Sequence, residues 1–318
     1  MKFLITGASG YIGKFIVEHF GRKYGKGSID ICVRSPQKAE ELKGLVKSIF
    51  IADLLSDSLS FLKTECYDYV IMAHGKILGH IYRAIYLNNR KTTRNILKNL
   101  NRKNLKQIIY LSSVAAGGFR DDMVDKADIV QPSNAYGKAK LKTEEMLTKY
   151  GTINSIKVAI LRPPVVYGSR SGVDFDYFIK GCKIGYSPYV SGNPYVSLCS
   201  IDNLIQAIVC SIEKNANGIY QIADDKRYTI QETVDIIRKA FSLKTIKIQG
   251  SFLKSFVNVS VKIALKFNNF SFPYFFLLQA MHNPFYCSID KAKKDLSFCP
   301  KDTFDKYFTK DVAKDYFR

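Results

Sequence analysis

Phe3-Leu4-Ile5-Thr6 runs without a break into Gly7-Ala8-Ser9-Gly10-Tyr11-Ile12-Gly13, and a helical pattern through Phe15-Ile16-Val17-Glu18-His19-Phe20 follows at once. A short apolar run that ends in a glycine turn and opens a helix is the first unit of an alternating β/α chain. The alternation continues through Ile29–Arg34, Val46–Ala52, Asp68–Ala73, Lys106–Ser113 and Ile156–Pro163, short runs rich in branched residues and separated by helix-length segments. Their near-continuous apolar character means cover on both faces, which is how parallel strands read. The expected fold is therefore α/β, a doubly wound parallel sheet of the Rossmann type.

After Pro163-Pro164 the rhythm breaks into turn-rich sequence, YGSRSG and GYSPYVSGNPY, where glycine and proline recur too often for a continuous helix. A helical pattern, IDNLIQAIVCSIEK, and one more strand, GIYQIAD, then return to the sheet. The chain of 318 residues accordingly divides into a dinucleotide-binding unit, residues 1–165 plus about 197–225, and a smaller irregular substrate unit, 166–196 plus 226–318.

Three glycines between a first strand and a first helix allow a tight turn and close backbone approach to a pyrophosphate, whose charge sits at the helix N-terminus. Gly7, Ser9, Gly10, Tyr11, Ile12 and Gly13 are the candidate phosphate loop, in the spacing Gly-x-x-Gly-x-x-Gly. An acidic residue at the end of the second strand would accept hydrogen bonds from an adenosine ribose; Arg34 stands there, 21 positions beyond Gly13. Arginine suits a 2′-phosphate, so NADP(H) is favoured over NAD(H), although Arg34 and Lys38 also read as solvated loop charges. Asp53 and Leu54 follow the third strand, where Asp53 meets the adenine or caps the next helix. Ala73 at the end of the fourth strand, and His74 and Gly75 after it, are further cofactor candidates, with His74 near the nicotinamide; a lone histidine there is more often a packing residue than a catalyst.

Tyr136 and Lys140 lie four apart at the start of a helical pattern and so share a face. A phenol with a pKa of about 10 is a poor base at neutral pH, and an ammonium beside it favours its anion. Ser113, 23 residues before Tyr136 at the end of a strand, adds a hydroxyl donor at the edge where parallel sheets meet ligands.

Together with the glycine loop these residues resemble the extended short-chain dehydrogenase/reductase family, in its NAD(P)-dependent epimerase/dehydratase branch. The similarity runs in order through TGASGYIG, IADL, Asn89-Arg90-Lys91-Thr92-Thr93-Arg94-Asn95, YLSSVAA, AYGKAK, LRPPVVYG, SIDNLIQAI, GIYQIAD and SIDKAKKDLSFCP. The resemblance implies Tyr136 as general acid/base, Lys140 on the nicotinamide ribose and lowering the tyrosine pKa, and Ser113 orienting the reacting oxygen. It adds Asn89, Ser112 and Pro163 to the cofactor's surroundings.

Departures narrow the reaction. Dehydratases of the family carry Asp-Glu after the Ser/Thr position, where this chain has Val114-Ala115, which argues against dehydration. Many nucleotide-sugar members hold the substrate diphosphate with an Asn and an Arg at the positions of Val165 and Val196; Arg170 or Lys183 would substitute, and His282 is a further candidate for substrate contact. The family resemblance is strongest to polysaccharide-assembly enzymes acting at C4 of an activated hexose. It implies a 4-epimerase or 4-keto reductase of a nucleotide sugar in surface polysaccharide biosynthesis. The alternatives are the same chemistry on a polyprenyl-linked sugar, a lipidic, steroid-like alcohol, or a cofactor-bound sensor without turnover; a homodimer is expected.

Other classes are disfavoured by composition. Hydrophobic residues at 47% and charged residues at 24% suit a globular core rather than disorder. The net charge of +20 is spread without a run of five Lys or Arg, and 20 Tyr and 21 Phe do not interleave with a basic patch, which argues against nucleic acid. Seven cysteines with no CxxC pair and no His at zinc spacing argue against a disulfide framework or a metal. The three apolar residues after Lys2 are too few for a signal-peptide core, so a reducing, cytoplasmic setting is expected. In Phe252–Asn268, Lys254, Asn258, Lys262 and Lys266 recur every fourth residue among apolar ones. On a helix this stripe suits an anionic membrane surface, at the inner face, or packing against the substrate unit or a second copy.

Overall fold

The computed structural model describes residues 1–55, 58–75, 82–118, 132, 135–169, 179, 182, 195–243 and 286–309. Seven parallel strands form its central sheet: β1 (Phe3–Thr6), β2 (Ile29–Val33), β3 (Ser48–Ile51), β4 (Tyr69–Met72), β5 (Gln107–Leu111), β6 (Lys157–Arg162) and β10 (Gly218–Gln221), in the spatial order β10-β6-β5-β4-β1-β2-β3. Each of the six strands read from the first half of the sequence is present, and so is the returning one.

Both sheet faces are dry because successive residues of each strand enter different cores. Phe3, Ile5, Ile31, Ile71 and Ile109 pack on one side with Ile16, Val17 and Phe20 of helix α1 (Tyr11–Tyr24). Leu4, Cys32, Val70, Met72, Ile108 and Tyr110 pack on the other with Ile96 of α4 (Tyr82–Asn99) and Leu147 of α5 (Ala135–Asn154). Two shorter helices, α2 (Pro36–Glu40) and α3 (Ser60–Thr64), complete the first half.

Beyond β6, the chain forms two small ribbons. Strand β7 (Val165–Tyr167) pairs in parallel with β9 (Leu198–Ser200), and β8 (Tyr195–Val196) pairs antiparallel with β11 (Tyr228–Thr229). Helix α6 (Ile201–Glu213) starts on a Ser200 side-chain cap, and α7 (Ile230–Ala240) on a full capping box between Thr229 and Glu232. Asp224 knots this region together. It accepts from the Tyr167 hydroxyl at 2.7 Å, the Ser200 amide at 2.8 Å and the Asn203 amide group at 2.8 Å. Burial pushes its carboxyl up to about 6 against the pull of those three donors. The last described helix of length, α8 (Asp290–Leu296), packs on β10 and α6.

Chain order reverses between β1 and β4, which lie side by side with Thr6 opposite Met72. A crevice opens at such a switch point, beyond the carboxyl ends of the two strands, and ligands of doubly wound sheets bind there.

Among the described residues no helix is long and apolar enough to cross a membrane. Residues 252–268, with their lysine-spaced stripe, lie outside the described residues.

Candidate functional site

The turn that follows β1 has no room for a side chain at Gly7 or Gly13. Gly7 has φ +73°, and a Cβ on it would stand 2.6 Å from the backbone of Ala73 and His74 at the end of β4. A Cβ on Gly13 would stand 2.1 Å from the Gly7 carbonyl oxygen. The Gly10 amide donates to that same carbonyl at 2.9 Å, and Gly10 begins α1 without a side-chain cap or an acidic residue in the first turn. The turn therefore offers helix-start amides and a positive dipole end at the mouth of the crevice, uncontested by a carboxylate. This cradle fits the pyrophosphate of a dinucleotide.

Around it the remaining cofactor candidates take distinct places. Arg34 sits one residue past β2, exposed, and forms no ion pair among the described residues, whereas the Lys38 ammonium is held by Glu41 at 3.0 Å. Asp53 accepts the Leu55 amide at 3.0 Å in a turn, and the next helix begins only at Ser60, so it does not cap a helix. Leu54 is buried, and the loop is pinned from α4 by Asn95, whose amide donates to the Leu55 carbonyl at 2.7 Å. Asn95 closes the Asn89–Asn95 segment, and nothing in its local sequence points to this contact.

On the far side of the crevice, Lys140 is buried on α5 and donates to the Leu111 carbonyl at the end of β5, 2.7 Å away. Its ammonium lies 4.7 Å from the Tyr110 ring centroid and 5.8 Å from that of Tyr136. Burial pulls the lysine down to about 8, partly opposed by the Glu144 carboxylate one helical turn on. Ser113 caps the single turn Val114–Ala116; its Oγ accepts the Ala115 amide at 3.2 Å, which leaves its proton for another acceptor. Gly137 brings the two pieces together, because a Cβ there would stand 2.1 Å from the Ala115 carbonyl oxygen. The first turn of α5, which carries Tyr136, is thus pressed against the turn that Ser113 caps.

One expected contact is turned elsewhere. The Ser112 hydroxyl donates to Glu144 inside the protein rather than into the crevice. Val114 is buried with its amide donating to the Pro163 carbonyl at 3.1 Å, and Val165 opens β7 opposite Leu198. Arg170, Lys183 and His282 lie outside the described residues.

At Gly75 a Cβ would stand 3.3 Å from both Asn89 Oδ1 and Lys140 Nζ, so the absent side chain leaves a polar-walled gap between α4 and α5. His74 beside it is bonded at both ring nitrogens, to Thr6 at 2.7 Å and Thr93 at 3.1 Å.

Residues 3–223 match the family model of the NAD-dependent epimerase/dehydratase family. The chain belongs to that family. Among its relatives are the UDP-glucose 4-epimerase of Vibrio cholerae, 24% identical over 73% of this chain and 74% of that one, and the N-acetyl-alpha-D-glucosaminyl-diphospho-ditrans,octacis-undecaprenol 4-epimerase of Escherichia coli O157:H7, 27% identical over 49% of each chain. The fold is similar to that of the UDP-glucuronic acid 4-epimerase of Bacillus cereus solved with NAD, at a TM-score of 0.77 and 20% identity over the whole of both chains. It is also similar to the dTDP-glucose 4,6-dehydratase of Bacillus anthracis, at a TM-score of 0.74 and 14% identity over 98% of this chain and 96% of that one.

Proposed function

We propose that the protein is an NAD(P)-dependent 4-epimerase of an activated hexose, serving surface polysaccharide assembly. The observation that carries this reading is the convergence of Ser113, Tyr136 and Lys140 across the crevice from a cradle shaped for pyrophosphate. When bound, the dinucleotide supplies the hydride acceptor and donor. Gly7, Gly10 and Gly13 hold its phosphates, Asp53 and Leu54 border its adenine, and Ala73, His74, Gly75, Asn89 and Pro163 surround its reactive end. Tyr136 takes the proton from a sugar hydroxyl and returns it. Lys140 favours the phenolate and binds a ribose hydroxyl, while Ser113 donates to the sugar oxygen and fixes its distance from the phenol.

Val114 and Ala115 fill the places where dehydratases of the family carry an acidic pair, and both are buried and apolar. Inversion at C4 without loss of water is the reaction these residues suit. With Val165 and Val196 in place of the usual diphosphate ligands, a different cation, Arg170 or Lys183, would meet the phosphates. The sugar carrier is a nucleotide or a polyprenyl diphosphate; the second is supported by the lysine-spaced apolar segment 252–268 and by the undecaprenyl-linked relative.

One observation favours a second reading. Arg34, exposed and without an ion-pair partner among the described residues, suits the 2′-phosphate of NADP, and an enzyme that exchanges NADPH each turnover would be a 4-keto reductase. Mass spectrometry of ligands released from the purified protein, followed by product analysis with UDP-hexoses and polyprenyl diphosphate sugars, tests the proposal. Retained oxidised cofactor with C4 inversion supports the epimerase. Consumption of NADPH with a 4-keto sugar, and no inversion in its absence, replaces it by the reductase.

A further inference from the structure

His74 lies at the end of β4, between the phosphate loop and α4, and its hydrogen bonds determine which ring nitrogen carries the proton. The Thr93 hydroxyl donates to the Asn89 carbonyl one helical turn earlier, at 3.2 Å. Its oxygen is then the acceptor in the 3.1 Å contact with His74 Nε2, so Nε2 bears the hydrogen. Nδ1 is left as an acceptor, and the Thr6 hydroxyl donates to it at 2.7 Å. Both partners are hydroxyls, neither of which stabilises an imidazolium as a carboxylate would. Partial burial, reinforced by the Lys140 ammonium from α5, pulls the imidazole down, to about 3.

The chain of bonds spans three elements. Thr6 is the last residue of β1, directly before Gly7; Thr93 and Asn89 belong to α4. Asn89 Oδ1 and Lys140 Nζ face the same gap at Gly75, the residue after His74. Loosening His74 would therefore move the α4 wall of that gap relative to Lys140, while the phosphate loop keeps its own backbone bond between Gly10 and Gly7.

We propose that His74 is a positioning residue: fixed as the neutral Nε2–H tautomer between Thr6 and Thr93, it ties the strand that carries the phosphate loop to α4 and holds Asn89 in register with Lys140. It gives and takes no proton during turnover. The inference rests on the reading of the Ser113–Tyr136–Lys140 centre as the reacting one, but its physical content can be measured without substrate.

The test pairs two variants with two measurements. His74→Leu removes both hydrogen bonds, and His74→Gln restores one acceptor and one donor at a spacing close to that of the ring nitrogens. In the full-length protein with its sugar substrate, His74→Leu is expected to lower kcat at least about tenfold, and His74→Gln is expected to recover most of the loss. Nitrogen-15 spectra of histidine-labelled protein, with the His74 signals assigned by their disappearance in His74→Gln, should show one protonated and one bare ring nitrogen, unchanged from pH 5 to 8. Hydrogen exchange of α4 amides should quicken in His74→Leu and return towards wild type in His74→Gln. Should the protein turn over no sugar, the functional reading fails, while the spectra and the exchange rates still decide the fate of His74. A titrating or Nδ1–H imidazole, full kcat in His74→Leu, unchanged α4 exchange, or an acid limb of the pH profile that vanishes in His74→Gln would each overturn the proposal.

Discussion

Arg162 and Glu144 meet in a two-point ion pair, with Arg162 Nε donating to one carboxylate oxygen at 2.9 Å and Nη2 to the other at 2.5 Å, and only 1% and 2% of the two side chains exposed. Glu144 also takes the Ser112 hydroxyl, and it lies one turn beyond Lys140 on α5. One carboxylate thereby joins the end of β5, the end of β6 and the helix that carries Tyr136. Breaking such a pair leaves an uncompensated buried charge, whereas replacing both partners removes the problem with the interaction. Glu144→Gln is therefore expected to lose about 3–5 kcal/mol in urea unfolding, and Glu144→Leu/Arg162→Leu to lose less than either single change.

Lys140 gives the site a pH signature. Its folded pKa, about 8, lies below the 10.5 of an unperturbed lysine, so between these values the unfolded chain binds the extra proton. The buried ammonium costs stability below pH 8, and that cost fades as pH rises through the window. Wild type should thus gain stability relative to Lys140→Met between pH 8 and 10, by denaturant titration at each pH. Activity moves the opposite way: loss of the ammonium withdraws support from the phenolate, and kcat/KM should fall as pH rises through about 8.

Gly137→Ala separates helix propensity from site geometry. In an exposed helix interior, the exchange stabilises by about 1 kcal/mol. Here the new Cβ would stand 2.1 Å from the Ala115 carbonyl oxygen, so the α5 start must move away from the Ser113 turn. The variant should lose activity at least about tenfold and gain no stability; a more stable variant with full activity would separate Gly137 from the site.

The strands and the glycine loop were legible because their signals are local: apolar runs of the right length, and glycines where the chain has no space for Cβ. The match of Tyr136 with Lys140 was legible through helical spacing, and Ser113 through its place at a strand end. What the sequence left dark depends on contacts distant along the chain. Nothing near Ser112 announces that Glu144, 32 residues on, will claim its hydroxyl. Nothing near Asn95 points to a carbonyl at Leu55, nor near His74 to a pair of threonines on different elements. Gly137 carried a faint signal, as a glycine in the first turns of a helix has to be explained by packing or function.

Arg34→Asp tests the dinucleotide preference. The substitution replaces a cation able to meet a 2′-phosphate with a carboxylate able to accept from a ribose 2′-hydroxyl. If Arg34 meets a 2′-phosphate, titration of both dinucleotides should show wild type favouring NADP and the variant shifted towards NAD by at least about tenfold. Equal affinities in wild type would take Arg34 out of the site and strengthen the epimerase over the reductase.

Tyr136 is expected to move the proton at C4 of an activated sugar. The most direct measurement is the turnover of Tyr136→Phe on the sugar substrate of the wild-type protein, with dinucleotide affinity determined in parallel. A positioned acid/base contributes about 100-fold or more, so the variant should keep less than about a hundredth of the wild-type rate with its Kd for the dinucleotide nearly unchanged. A variant that keeps more than about a tenth of that rate would remove Tyr136 from that role.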